Sequence, residues 1–167
     1  SLLNLARPER SAFERLSLND TVAEVVRLFE PQVRGQGVRL EPLLEPDLPP
    51  IRGHKAKLQQ VLLNLLLNAK DAVDTEGRIT LQTRSTEDRI VLEVTDDGVG
   101  IAEEDLPRIF DPFFTTKSRG KGSGLGLSIS YGIVLEHAGE IQVESVPGEY
   151  TRFRIVFPVM GRAEALA

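Results

Sequence analysis

The first residues that could do chemistry sit on one helical repeat. Winding the stretch from His54 to Val73 at about 100° per residue puts Leu58, Val61, Leu62, Leu65, Leu66, Ala69, Ala72 and Val73 on a broad apolar arc. Gln60, Asn64, Asn68 and Asp71 fall together on a separate arc of about 80°, with Leu63 and Leu67 beyond it. The plainer reading of that stripe is a solvent face. Solvent faces, however, favour Lys and Glu, and Asn is a poorer helix former. Two Asn among leucines point to amides aimed at something specific. An amide oxygen is a hard, neutral ligand that suits Mg²⁺, and it can share the ion with phosphates without a carboxylate's like-charge repulsion.

Two glycine-bearing segments follow. In Val94-Thr95-Asp96-Asp97-Gly98-Val99-Gly100-Ile101 a strand delivers a carboxylate into a turn whose glycines permit close backbone approach. Taken alone this is an ordinary Asp-Gly turn. Taken as a site, it is an acceptor for a ligand amine under a glycine backbone. Gly122-Ser123-Gly124-Leu125-Gly126-Leu127-Ser128 opens a helix, where freed N–H groups suit a phosphate chain. Lys117, Arg119 and Lys121 precede it in an otherwise acidic protein. The spacing is neither that of a P-loop nor that of a dinucleotide fingerprint, and a flexible surface loop is the alternative. Together the three segments suit a metal, an amine-bearing base and a polyphosphate, which describes Mg²⁺–ATP.

The elements that must position these groups mix helices and hairpins. Asn19 or Asp20 can cap a helix over Thr21 to Arg34 that ends at Gly35. Val38 to Leu44 reads as a strand, and Glu45 to Pro50 as a loop. After the long helix, Arg78 to Arg84 and Ile90 to Thr95 alternate as antiparallel strands. Leu106 to Gly124 is irregular, Leu125 to Ala138 helical, and Glu140 to Ser145 pairs with Thr151 to Val159 around Pro147-Gly148. The expected class is α+β: a two-layer α/β sandwich of three main helices on a mixed, mainly antiparallel sheet. Ser1 to Ala6 reads as a helix end stopped before Pro8, and Arg7 to Arg15 as a charged linker.

Composition narrows the chemistry. The 167 residues are 41% hydrophobic and 27% charged, ordinary for a globular domain. The net charge of −5 argues against broad binding to nucleic acid or anionic membrane. Zero Cys excludes thiolate sites and a Cys nucleophile, and two His exclude a His-rich metal site. No run approaches the ~18 apolar residues of a membrane span.

These residues resemble a known family, the catalytic ATP-binding domain of two-component sensor histidine kinases, within the Bergerat-fold superfamily of gyrase, heat-shock chaperone and MutL ATPases. Leu58 to Ala72 is similar to the N box, Asp96 to Ile101 to the first glycine box, Ile109 to Lys117 to the F box and Gly122 to Leu127 to the second glycine box. Pro112 to Lys117 and Pro147-Gly148 look closest to the nitrogen-regulation type. The likeness implies a catalytic domain over 16–160, a dimerisation-helix end and linker over 1–15, and a tail over 161–167. By the same resemblance Asn68 coordinates Mg²⁺ and Asn64 supports metal or phosphates. Asp96 accepts from the adenine amine, Gly98 and Gly100 approach the base, and Ile101 lines its pocket. Asp71, Ala72 and Thr151 complete the nucleotide site. Gly122, Ser123, Gly124 and Gly126 hold phosphates while Leu125 and Leu127 pack the hinge. Residues from about Phe110 to Gly124 form a lid in which Phe113 and Phe114 are hydrophobic contacts and Lys117 reaches the γ-phosphate.

The resemblance further implies a cytoplasmic domain, without membrane or nucleic-acid contact of its own, in a homodimeric parent that can be anchored in the inner membrane. Its partners are ATP, a histidine-bearing dimerisation domain and a response-regulator receiver domain. His54 and Tyr150 depart from the family's usual residues and put local loop contacts in question. His54 near a helix start reads as exposed. His137 at a helix end reads as a carbonyl cap favoured by the helix dipole, so neither is the phosphoacceptor. A hydrolysing ATPase clamp of the same superfamily is the first alternative. It generally needs a carboxylate one turn before the metal Asn, where this chain has Asn64. A non-enzymatic nucleotide-binding module is the second.

Overall fold

The computed structural model describes residues 13–116 and 124–161. Three α-helices and seven strands occur among them: β1 (Phe13–Leu16), α1 (Leu18–Arg34), β2 (Arg39–Leu44), β3 (Ile51–His54), α2 (Lys55–Ala72), β4 (Arg78–Ser85), β5 (Arg89–Asp96), α3 (Gly126–Glu136), β6 (Glu140–Val146) and β7 (Tyr150–Pro158). Five strands form one sheet in the order β2-β4-β5-β7-β6. The β2–β4 pair is parallel and the rest are antiparallel. The expected mixed, mainly antiparallel sandwich is therefore the observed one.

Alternation builds the sheet. β7 buries every second residue, Thr151, Phe153, Ile155 and Phe157, while Arg152 and Arg154 stand on the other face. Ile79, Leu81, Leu92 and Val94 extend the inner face across β4 and β5. Against it lie Leu58, Val61, Leu62, Leu65 and Leu66 of α2 and Val22, Val25 and Phe29 of α1, all nearly inaccessible. On the outer face Glu93 is buried among Arg84, Arg152 and Arg154. Burial pushes its carboxyl up, but Arg84 and Arg154 outweigh that and hold it below the ordinary range.

The structure corrects the reading of the N-terminal elements. Residues Phe13 to Arg15, read as linker, belong to β1, which pairs antiparallel with β3. That second, two-stranded sheet was not expected. The cap of α1 is Ser17, whose Oγ accepts from Asp20 N at 3.2 Å, so the helix begins at Leu18 rather than Thr21. Asn19 is occupied elsewhere: its Nδ2 donates to the Glu45 carbonyl at 2.8 Å and its Oδ1 accepts from Thr83 Oγ1 at 2.7 Å. The reading of 1–12 and of 162–167 lies outside the described residues.

Both histidines are structural. His54 is half-buried rather than exposed and caps α2, its Nδ1 accepting from Lys57 N at 3.3 Å. His137 is buried, with Nδ1 against the Ile133 carbonyl at 2.8 Å and Nε2 accepting from His54 N at 3.0 Å. A ring that donates at one nitrogen and accepts at the other is neutral. Burial lowers its pKa, so His137 caps a carbonyl as expected but brings no positive charge to the helix end.

Candidate functional site

α2 is the spine of the site. Its C-terminal end carries the Asp96 turn: Val99 N donates to the Ala72 carbonyl at 3.0 Å. Two turns earlier, Asn64 Nδ2 donates to the Gly126 carbonyl at 3.1 Å and to Ser130 Oγ at 3.2 Å, which fastens the start of α3. The eight residues between these contacts rise about 12 Å along the helix. Asn68 is midway between them and half-buried. Ala72 with Gly98 and Asp96, and Asn64 with Gly126, are thus brought to one helix, with Asn68 between the two contacts.

Asp96 ends β5 with its carboxylate buried, 4% exposed. Its Oδ1 accepts from Gly98 N at 2.9 Å. Burial raises its pKa from 3.8 to about 6, a shift opposed by the Gly98 bond and aided by neighbouring Asp97. Thr151 lies opposite it in register on β7 and is equally buried. The neighbouring Asp97 does a different job, its Oδ1 accepting from Arg78 N at 2.8 Å to pin the turn to β4. Ile101 N donates to Ser145 Oγ at 2.8 Å, and Gly148 N donates to the Val99 carbonyl at 2.7 Å, so the β6–β7 turn locks onto the Asp96 turn.

Close packing explains the glycines. A Cβ on Gly98 would lie 2.3 Å from the Ala72 carbonyl oxygen. One on Gly124, at φ +74°, would lie 2.4 Å from Phe113 C, whose own N donates to the Gly124 carbonyl at 2.8 Å. The F-box and second-glycine segments thus meet through backbone. Gly98→Ala must push the turn off α2; it is expected to cost about 1–3 kcal/mol and at least about tenfold in nucleotide affinity. Gly132→Ala is the control, because nothing lies within 4 Å of that Cβ and Ala is the better helix former. Thermal melts and titration calorimetry of the two variants test this, and a Gly98→Ala chain with unaltered melting and binding would refute the contact's importance.

No side chain caps the N-terminus of α3, which begins after N-cap Leu125, and the start of a helix is a favourable place for an anion. Phe113 is 73% exposed, while Phe114 is half-buried beneath the Arg108 guanidinium at 4.5 Å. The paired phenylalanines therefore differ: one is available to a partner and the other packs. Asp71 is exposed at the outer border of the stripe. The Tyr150 departure is absorbed locally, with its hydroxyl on Glu144 and its ring beneath Arg152. Lys117, Gly122 and Ser123 lie outside the described residues.

The donor set fits a divalent ion held largely by its ligand. Among the described residues no group of three His, Asp or Glu side chains could hold a metal ion. The chain offers amide oxygens from one helix face, which suits a cation that keeps phosphates and waters in most of its positions. Ser145 was missed by sequence reasoning. Its signal was a hydroxyl in the inward phase of β6, after Ile141 and Val143.

Comparison with known proteins places the chain. Residues 53–161 match the family described as histidine kinase-, DNA gyrase B-, and HSP90-like ATPase. Sensor histidine kinase ZraS of Salmonella typhi is 37% identical over 98% of this chain and 35% of its own length. The chain therefore spans about a third of that relative. The catalytic domain of histidine kinase ThkA superposes with a TM-score of 0.80 at 31% identity, over 88% of this chain and 95% of that one. ThkA in complex with response regulator protein TrrA matches with a TM-score of 0.76 at 30% identity, over 89% of this chain and 42% of that one. A family match across most of the folded region, and a catalytic domain covered almost end to end, agree with the geometry: the chain belongs to the histidine kinase-, DNA gyrase B- and HSP90-like ATPase family, as a catalytic domain of the sensor histidine kinase type.

Proposed function

We propose that this domain binds Mg²⁺–ATP along α2 and presents the γ-phosphoryl group to a histidine on a dimerisation domain outside the chain. The observation that carries the reading is the single spine: the Asp96 turn is fastened at Ala72 and the start of α3 at Asn64, with Asn68 between them. The purine would lie at Asp96, Gly98, Gly100 and Ile101, its amine donating to the Asp96 carboxylate. The phosphates would lie against Gly124, Leu125 and Gly126 at the N-terminus of α3, joined by Gly122 and Ser123. Asn68, supported by Asn64, would hold Mg²⁺, which supplies charge neutralisation on the phosphate oxygens. Lys117 would add a positive charge at the γ-phosphate, and Phe114 would pack the lid.

The domain's part is positioning and electrostatics. The histidine nitrogen attacks the γ-phosphorus, the bond from that phosphorus to the bridging oxygen breaks, and ADP leaves. Nucleophile and base come from the partner domain. The phosphohistidine then passes its phosphoryl to an aspartate of a response regulator; the ThkA–TrrA complex supports a partner of that class. The motif Pro112 to Lys117 favours the nitrogen-regulation type of kinase. A parent homodimer is part of the same reading, with 16–160 as its catalytic domain.

The test mixes this chain, γ-labelled ATP and a separate histidine-bearing dimerisation domain. Acid-labile label on that domain, with none on this chain alone, is expected. His137 has both ring nitrogens engaged and His54 caps a helix, so neither is placed to accept a phosphoryl group. Release of inorganic phosphate with no label on the added domain would favour the hydrolysing clamp instead, the reading that Asn64 disfavours for want of a carboxylate.

A further inference from the structure

Ser145 joins three partners at one oxygen. Its Oγ lies 2.8 Å from Ile101 N, 2.8 Å from the Tyr150 carbonyl oxygen and 3.0 Å from Thr151 Oγ1. The proton inventory has one consistent solution. A backbone N–H only donates and a carbonyl only accepts, while a hydroxyl has one proton and two lone pairs. The Ser145 proton therefore goes to Tyr150. The contact with Thr151 then takes its proton from Thr151. With that proton turned back toward Ser145, the remaining capacity of Thr151 Oγ1 is acceptor only.

Thr151 is the register partner of Asp96, and both are buried. We infer that Ser145 is a positioning residue for base selection: by taking the Thr151 proton it fixes a second acceptor beside the Asp96 carboxylate, so that this end of the site welcomes a purine with a 6-amino donor and rejects one with a 6-oxo acceptor. The inference rests on the proposed placement of the purine at Asp96. Two acceptors side by side discriminate more than one, because a 6-oxo purine would leave both facing a lone pair in a desolvated place, and a group buried without a partner costs more than a made hydrogen bond gains.

Ser145→Ala releases the Thr151 hydroxyl, which can then rotate to donate to a 6-oxo group. It also leaves Ile101 N without its acceptor, an effect that weakens every nucleotide alike. The informative readout is therefore the ratio of dissociation constants for ATP and inosine triphosphate, not either constant alone. Calorimetry on the whole 167-residue chain should show wild type preferring ATP. Ser145→Ala should lower that preference about 5- to 10-fold, the worth of one buried hydrogen bond. Ser145→Thr, which keeps the hydroxyl, should restore it. Thr151→Val should lower it to a similar extent, and Ser145→Ala added to Thr151→Val should lower it no further.

An unchanged ratio in Ser145→Ala, with both affinities reduced together, would overturn the inference and leave the nucleotide reading standing. So would Ser145→Thr behaving like Ser145→Ala in a chain whose melting curve matches wild type. A wild-type chain that binds neither nucleotide would overturn the nucleotide reading and this inference with it, whereas one that binds both equally would overturn the role of Asp96 in base recognition and this inference while leaving nucleotide binding standing.

Discussion

Asn68→Ala is expected to remove the Mg²⁺ dependence of ATP binding. In wild type, affinity measured by calorimetry should rise steeply between excess EDTA and millimolar Mg²⁺. In the variant the two conditions should give nearly the same, weak constant, about 10- to 100-fold above wild type in Mg²⁺, since one charge-assisted contact is worth about 1.5–3 kcal/mol. Alanine is the best helix former, so the helical propensity of α2 does not fall. Asn64→Ala makes a useful contrast. Its amide fastens α2 to Gly126 and Ser130, so its loss should lower stability as well as affinity. An Asn68→Ala chain that still binds ATP more tightly with Mg²⁺ would show that the ion is held without this side chain, and the metal assignment would fall.

The site was legible wherever function had displaced the usual residue for a place. Two Asn on a leucine helix, and a carboxylate at the end of an apolar strand, stand out against the residues that such places usually take, and Asn64 and Asp96 each join α2 to a neighbouring segment, Asn64 through Gly126 and Asp96 through the Gly98 turn. The glycines were legible as a group, but their reasons were not. Gly98 is close-packed on Ala72 and Gly124 on Phe113, contacts between segments distant in sequence.

What escaped the sequence was non-local in the same sense. Phe13 to Leu16 buries only Leu16 and shows no alternation of its own; its strand character comes from pairing with Ile51 to His54. Ser17 and Asn19 are both good caps. The choice between them is made by Glu45 and Thr83, which claim the Asn19 amide from across the fold. The charge state of His137 likewise depends on the His54 N–H, a partner that no local pattern reveals. Thr151 was found through resemblance, but Ser145, which shares its proton inventory, was not.

Asp96→Asn is expected to stabilise the nucleotide-free domain while disabling it. The Asp96 carboxyl titrates near 6 in the fold instead of its ordinary 3.8, with burial as the main cause. The sign follows from linkage. Between about pH 4 and 6 the folded state holds a proton that the unfolded state has released, so stability falls as pH rises through that window and stays reduced above it. A shift of that size corresponds to about 3 kcal/mol at most. Asn removes the charge and keeps an oxygen for the Gly98 N–H. At pH 7.5 the variant should gain about 1–3 kcal/mol, seen as a melting temperature higher by about 3–8 °C, and the gain should vanish near pH 4. ATP affinity should fall at least about tenfold, because the amide is free to turn a donor toward the adenine amine. A variant that melts at or below the wild-type temperature at pH 7.5, or whose gain is the same at pH 4, would mean that the buried charge is not what the fold sustains at this position. The combination of higher stability with lost binding is what separates a functional carboxylate from a structural one, since a structural carboxylate would be missed by the fold as much as by the ligand.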